Sequence, residues 1–368
     1  MSILSLKMTS ILQATRHKRP TLKDVAAHSG VSFQTVSLVL NHPEKVHDRT
    51  RAKVLETMKA LHYAPNLAAR GLRKISSKTI ACIVLSAANR PQEDGRPMLQ
   101  DTWQSEALTA FGGIADQNGY ALMRKTTSLD DREGVIFRMY QEGRVDGVII
   151  LPALEQDQFL LDLQRQGVPL VVFGSAHPAF HFVTQDDRQA AYNLVAHMVE
   201  RGCRRIGFVR GVGETVLFSS GQERYLGYRE AVRHFGLNVR EEWISQGDMS
   251  MSSGYRAVHA LLGGFSRFSA DQYPDALVLS NDRMAIGGLK ACHDLGVGVP
   301  LEVSLAGFDN SEYGRYTLPP LTSVSGPTLE MAARAFEVLI DLTNNRHSGD
   351  SLNHETFQSQ LVLRASVR

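Results

Sequence analysis

Apolar positions along the chain follow two rhythms. Between Thr21 and Tyr63 they recur at three- and four-residue spacing, whereas from Thr79 onward short continuous apolar runs alternate with amphipathic ones. In the first region "TLKDVAAHSG" offers Thr21 as an N-cap with Asp24 three residues later, a capping box, and Gly30 as the stop. Ser32 caps the next helix, expected over residues 33–40 of "GVSFQTVSLVLN". On it Val36, Val39 and Leu40 share one face, while Gln34, Ser37, Leu38 and Asn41 point the other way. Leu38 thus puts an apolar side chain on a polar face. A third stretch, "RTRAKVLETMKALHY", lays Val54, Met58 and Leu61 on a stripe that can close a small core over Val25, Val36 and Leu40. Two short helices around a glycine turn, closed by a third, make a helix-turn-helix unit.

Next comes "APNLAARGLRK", where Pro65 suits the first position of a helix. So short a helix is marginal alone in water and forms only when something holds it. Beyond it, "TIACIVL", "DGVIIL" and "PLVVFG" read as buried strands separated by helices, which predicts a parallel sheet covered on both faces. The rhythm restarts at "HFVTQDDRQAAYNLVAHMVERG", and two similar α/β lobes are expected.

Length and composition agree with several globular units, since 368 residues with 43% hydrophobic content exceed one typical domain. The net charge of +2 hides an asymmetry. Residues 1–78 carry 14 Lys/Arg against 4 Asp/Glu, and the rest carries 26 against 34. A basic module on a mildly acidic body points to a polyanionic partner for the N-terminal part. Cys82, Cys203 and Cys292 form no CxxC pair and have no histidine cluster near them, so buried thiols in a reducing compartment are expected, with no zinc site. The N-terminal "MSILSLKMTSILQATRHKRP" lacks a continuous apolar core and a small-residue cleavage site, and no run reaches membrane-spanning length. A cytoplasmic protein follows, with residues 1–19 an unstructured lead-in.

The segments "TLKDVAAHSGVSFQTVSLVLN", "RTRAKVLETMKALHYAPNLAARGL", "VDGVII", "RYLGYREAV", "SNDRMAIGGLKA", "GFDN" and "LPPLTSV", in this order and spacing, carry a likeness. The chain resembles the lactose-repressor (LacI/GalR) family of bacterial transcription regulators over nearly its whole length from Pro20. The resemblance implies an all-α helix-turn-helix domain at 20–64, a hinge helix and linker at 65–78, and a two-lobed α/β core like periplasmic sugar-binding proteins. Because the family's core chain crosses between lobes three times, the first lobe is expected to comprise 79–179 with 327–347, and the second 180–326 with 348–368. The function implied is that of an operator-binding regulator, expected to repress, whose DNA affinity is controlled by a small effector. The expected partners are a pseudo-palindromic DNA duplex, a carbohydrate effector and a second copy of the chain, with a tetramer the larger possibility. No cofactor, metal or membrane is implied.

The major groove accepts one helix, whose outward side chains read base edges. Gln34 can bond an adenine edge and Phe33 can pack on a thymine methyl, while Thr35 and Ser37 are either DNA contacts or solvated surface. Thr21, Ser32, Asn41 and Arg51 complete the expected interface by resemblance, Arg51 with Lys23, Lys45, Arg49, Arg16, Lys18 and Arg19 as phosphate-contact candidates. Leu38 departs from the family's "TVSRVLN", where arginine suits guanine O6 and N7; leucine can meet a thymine methyl or stay neutral. In the hinge, Asn66 and Arg70 are expected at DNA, and Leu72 aligns with the leucine that relatives lever into the minor groove. Gly71 replaces the commoner serine and lowers helicity further.

At the other end, Asp186, Asp282 and Asp309 each follow an expected strand, where parallel α/β lobes bind ligands. Arg224 opens a helix and can offer a planar fork of donors to hydroxyls. The resemblance ranks Arg224 and Asp282 first as effector contacts and Asp186 next, with Asp309 either a contact or a brace for loop amides. Trp103, in "QDTWQ" where relatives have "NPFF", either stacks on a sugar face or covers the lobe edge. No GxSxG, P-loop or HExxH occurs, and "RGVGET" lacks the third glycine of a dinucleotide site, so no enzyme is expected. The basic first 78 residues oppose a transport-type binding protein, and a protein co-regulator in place of a sugar is the remaining alternative.

Overall fold

The computed structural model describes residues 21–61, 76–85, 102–127, 132–151, 158–211, 219–238, 240–264, 271–344 and 351–368. The lead-in and the hinge positions Asn66, Arg70 and Leu72 lie outside the described residues. The chain divides into two compact units between residues 75 and 76.

The first unit holds three helices, α1 (Leu22–Ser29), α2 (Phe33–Asn41) and α3 (Asp48–Ala60), with a 3-10 turn at Pro43–Lys45. The Asp24 carboxylate accepts the Thr21 N–H at 2.7 Å while Thr21 Oγ1 accepts the Asp24 N–H, which completes the capping box. Gly30 ends α1 at φ +64°, a conformation that costs glycine nothing. Ser32 Oγ accepts the Thr35 N–H at 3.0 Å and starts α2 three residues later. Val25, Val36, Val39, Val54 and Met58 fill the core, with Leu40 and Leu61 at its margin.

The second unit contains two six-stranded sheets. The strands of the first are β1 (Thr79–Leu85), β2 (Ala121–Thr127), β3 (Gly147–Leu151), β4 (Leu170–Phe173), β5 (Phe182–Gln185) and β11 (His354–Phe357), in the order β11-β5-β4-β3-β1-β2 and all parallel. The second has β6 (Ile206–Arg210), β7 (Ile244–Gln246), β8 (Ala276–Leu279), β9 (Ser304–Phe308), β10 (Thr322–Ser325) and β12 (Gln360–Val362), in the order β12-β10-β9-β8-β6-β7, antiparallel only at β12. Helices α4 (Thr102–Gln117), α5 (Arg132–Gln141) and α6 (Gln158–Arg165) cover the first sheet, and α7 (Asp187–Glu200), α8 (Ser219–His234), α9 (Met251–Leu262) and α10 (Asp282–Asp294) the second. Helix α11 (Thr328–Thr343) returns to the first lobe, where Met331, Ala335, Phe336 and Leu339 pack with Ile80, Phe111 and Phe173. Buried apolar side chains on both faces of each sheet explain why these strands read as continuous hydrophobic runs.

Two expected lobe boundaries need correction. The first crossing falls after Gln185, because β5 pairs with β4 and β11 in the first sheet; its residues were expected in the second lobe. The C-terminal segment, expected wholly in the second lobe, divides between the two sheets at Gln358 and Ser359: β11 belongs to the first sheet, where the Phe182 N–H bonds the Asn353 carbonyl and the Phe182 ring stacks on His354. Alternation along a strand tells which face is buried and not which sheet receives it. All three cysteines are buried and free, and burial pushes the Cys82 thiol well up. Among the described residues no helix is long and apolar enough to cross a membrane, and no group of His, Cys, Asp or Glu is gathered as for a metal.

Candidate DNA interface and effector cleft

Helix α2 buries Val36 and Val39 and turns Phe33, Gln34 and Leu38 outward, Phe33 49% and Leu38 38% exposed. Thr35 is half-buried, and its hydroxyl lies 2.8 Å from Ser32 Oγ; both take part in the cap. Ser37 is half-buried and Asn41 ends the helix. Thr21 sits at the start of α1 with its hydroxyl on Asp24. Arg51 pairs with Asp48 at 2.7 Å on an exposed helix turn, a contact of little energy that can be exchanged for a phosphate. Lys23, Lys45 and Arg49 are exposed. This unit therefore presents an amphipathic helix with a partly apolar outer face among cationic side chains.

In the second unit the strands of each sheet end at a set of polar groups. Arg224, on α8, is 6% exposed. Its Nε donates to Asp187 Oδ1 at 2.7 Å, its Nη1 donates to the Ser280 carbonyl at 2.5 Å, and the same Nη1 lies 3.6 Å from Asp309 Oδ1. The guanidinium stands 4.5 Å over the Phe308 ring. Gln185, closing β5, donates from Nε2 to Asp187 Oδ1 at 2.9 Å. A Cβ at Gly326, just beyond β10, would come within 1.8 Å of Gln185 Oε1. The two crossover segments thus approach closely, and a side chain at 326 would require the Gln185 amide to move.

Sequence reasoning chose Asp186, but the group that meets Arg224 is its neighbour. Asp186 is the N-cap of α7, accepting the Gln189 N–H at 3.0 Å. Asp187 lies in the first turn and points back to Arg224. Adjacent aspartates after a strand were the available signal, since only one of the pair can cap the helix. Asp282, ranked among the first effector contacts, is fully buried. Its Oδ2 accepts the Ser311 N–H at 2.7 Å and its Oδ1 the Ser323 hydroxyl at 2.6 Å, so both oxygens are engaged within the protein. Burial pushes its pKa up to about 7, against the pull of those hydrogen bonds. Asp309 is the carboxylate that reaches the cluster, on a turn where it and Asn310 both have positive φ, +96° and +49°. Trp103 stacks on Phe173 at 5.5 Å and lies over Gly174, where a Cβ would come within 2.2 Å of the indole. It caps the end of β4 on the first lobe.

Residues 21–66 match the family described as bacterial regulatory proteins, lacI family, and residues 195–367 match the periplasmic binding protein-like domain. The HTH-type transcriptional repressor PurR of Pectobacterium carotovorum is 32% identical over 354 residues, covering 94% of this chain and 96% of that protein. This chain belongs to the LacI family. The PurR repressor of Yersinia pestis is also 32% identical over 353 residues, with the same shares covered. Among solved structures, the transcriptional regulator CelR in complex with cellobiose is 28% identical with a TM-score of 0.67, covering 95% of this chain and 100% of that one. The lac repressor dimer bound to operator and the anti-inducer ONPF shares the fold at a TM-score of 0.79 and 24% identity, with 95% and 99% covered. The helix-turn-helix unit and the two-sheet core are those of this family, and the chain is a DNA-binding transcriptional repressor under effector control.

Proposed function

We propose that the effector is a neutral polyhydroxylated molecule, a carbohydrate, held between the lobes by Arg224, Asp187 and Asp309, and that its binding changes operator affinity. The observation that carries this reading is the charge balance around Arg224: two carboxylates lie within 2.7 and 3.6 Å of one guanidinium. An anionic ligand would meet an arginine already neutralised and an excess of negative charge, to which the carboxylates around Glu223 add. Hydroxyl groups can donate to the carboxylates and accept from the guanidinium, and the apolar surface of Trp103 suits the apolar face of a sugar ring. The complex of the CelR relative with cellobiose favours the same class. Asp186 and Asp282 act as supports in this reading.

The protein works in the cytoplasm as a homodimer on a pseudo-palindromic operator, with no catalytic step. Phe33, Gln34 and Leu38 read bases, and Arg51, Lys23, Lys45 and Arg49 meet phosphates. A ligand that prefers one arrangement of the lobes must change operator affinity by the factor by which operator changes ligand affinity. A thermal-shift screen of neutral mono- and disaccharides, sugar phosphates and nucleobases tests the effector class, followed by duplex binding with each hit. A neutral saccharide should raise the melting temperature and change duplex affinity. A hit confined to sugar phosphates would overturn the assignment, and no hit at all would turn attention to a protein co-regulator.

A further inference from the structure

Gln185 closes β5, a strand of the first sheet, while Asp187 opens α7 on the second lobe. The chain therefore passes from one lobe to the other between these two residues. Two more passages lie against it. The Asp186 N–H bonds the Phe357 carbonyl at 2.9 Å, where β11 ends, and Gly326 follows β10 on the way to α11. A Cβ at Gly326 would stand 1.8 Å from Gln185 Oε1, and the next two atoms it would meet also belong to Gln185. This glycine is not among those with a left-handed φ, so what it supplies is space for the amide and not backbone freedom.

The amide is held in an orientation that leaves one of its atoms unsatisfied. Nε2 donates to Asp187 Oδ1 at 2.9 Å, while Oε1 is buried without a donor among the described residues. A buried acceptor left unpaired is unfavourable. Turning the amide over would be worse, because Oε1 would then face the Asp187 carboxylate, which has no proton to give. Asp187 Oδ1 also accepts Arg224 Nε at 2.7 Å, so two donors, one from each lobe, meet on a single oxygen. Together they fix the rotation of that carboxylate and its distance from the first sheet.

We propose that Gln185 is a positioning residue that ties the Asp187 carboxylate to the first sheet at the crossing between lobes, with Gly326 as the space it requires. Movement of one lobe against the other then moves the Gln185 donor relative to the Asp187–Arg224 pair. The consequence for effector response rests on the reading of Asp187 and Arg224 as effector contacts. The charged groups around this bond are Asp186, Asp187 and Arg188 on α7, Glu223 and Arg224 on α8, and Asp309 after β9.

Urea unfolding of the full chain at about pH 5 and pH 8 tests the bond. Gln185→Glu replaces the donor by a carboxyl group beside Asp187. Burial and the neighbouring carboxylate raise its pKa in the folded protein, so the folded state keeps a proton that the unfolded state has released, and stability is lost as pH rises. The folding constant of the variant, relative to the parent, should therefore fall by about tenfold or more between the two pH values. In an Asp187→Asn background, compared with Asp187→Asn alone, the same substitution should show a fall smaller by about threefold or more, whereas burial alone would leave it unchanged. Gly326→Ala tests the space: it should lower the folding constant by about tenfold or more in the parent, and by less than about twofold in Gln185→Ala, where the obstructing amide is gone. A pH-dependent fall that Asp187→Asn leaves unchanged, or a Gly326→Ala cost that is the same with and without the Gln185 side chain, would overturn the assignment. No arm uses a ligand, so failure here is separate from failure of the effector reading, which the saccharide screen decides.

Discussion

Asp187 accepts a hydrogen bond from Arg224 Nε at 2.7 Å, with both side chains more than nine-tenths buried. Removing one member strands the other charge away from water, which is worse than never having had the pair. Asp187→Ala is therefore expected to destabilise the second unit by about 3 kcal/mol, and Asp187→Asn, which keeps an acceptor, by less. Urea unfolding of the two variants beside the parent checks the order. Equal stabilities would show that water reaches Arg224 readily and that the pair counts as a surface contact.

How much of this site could be read in advance follows from what each residue does locally. Arg224 in "QERYLGY" is visible as a cation on an amphipathic helix, while its partners Asp187, Ser280 and Asp309 lie far from it in the sequence. Asp186 and Asp187 are not told apart by sequence, because capping geometry appears only once the helix start is fixed to a residue, and a one-residue shift exchanges the N-cap for the group that meets Arg224. Asp282 sits at the strand end where the sequence puts it, with hydrogen bonds that the sequence does not show. Its strand-end position is visible in "DALVLSND", but its engagement with Ser311 and Ser323 joins residues 29 and 41 positions away. The three-helix module was plain from caps and spacing alone, since its contacts are local. The assignment of β5 and β11 to one sheet was not, because that pairing links residues about 170 apart.

The exposed Leu38 on α2 has no donor for a guanine edge. Operators recovered by in vitro selection should show no guanine requirement at the base pair this position faces, and Leu38→Arg should introduce one. The gain would be about 1–3 kcal/mol for guanine over other bases, the usual worth of a bidentate contact. A guanine preference already present in the parent protein and kept in Leu38→Ala would show that another residue reads that pair.

Binding to such a duplex should weaken steeply with salt. If six or more phosphates are neutralised across a dimer, the log–log slope is about −5 or steeper. Lys45→Ala and Arg49→Ala should each flatten the slope by about 2 per dimer and weaken all sequences alike. Fluorescence anisotropy between low and moderate salt measures this, and a flat response would remove the phosphate-contact assignment.

Where the chain enters the second unit, Asp146 gathers three consecutive residues. Its carboxylate accepts the Ser77 N–H at 2.6 Å, the Ser77 hydroxyl at 2.8 Å, the Lys78 N–H at 3.0 Å and the Ser76 hydroxyl. Lys78 is held there at φ +51°, its Nζ 4.2 Å above the Tyr120 ring. Asp146→Ala should cost about 2 kcal/mol and release residues 76–78 first, seen as faster amide exchange at Ser77 and Lys78 with β1 still protected. Loss of protection across β1 as well would make Asp146 part of the sheet's own stability.

Asp282 should also leave a signature in the pH dependence of stability. Its pKa is raised from the ordinary carboxylate value of 3.8 to about 7 in the folded protein, because burial penalises the charged form more than its hydrogen bonds favour it. Between those values the folded state holds a proton that the unfolded state has released, so acidification through this window stabilises the fold. Relative to Asp282→Asn, the parent protein should gain stability as pH falls from about 8 to 5, by about 2–3 kcal/mol if the full shift is expressed. Other carboxylates titrate in both proteins and cancel in the difference, which is why the comparison, and not either curve alone, carries the result. Denaturant melts at several pH values measure it. A difference that stays constant, or that favours the parent more as pH rises, would mean that water or Arg364 compensates the buried charge and that Asp282 stays ionised throughout.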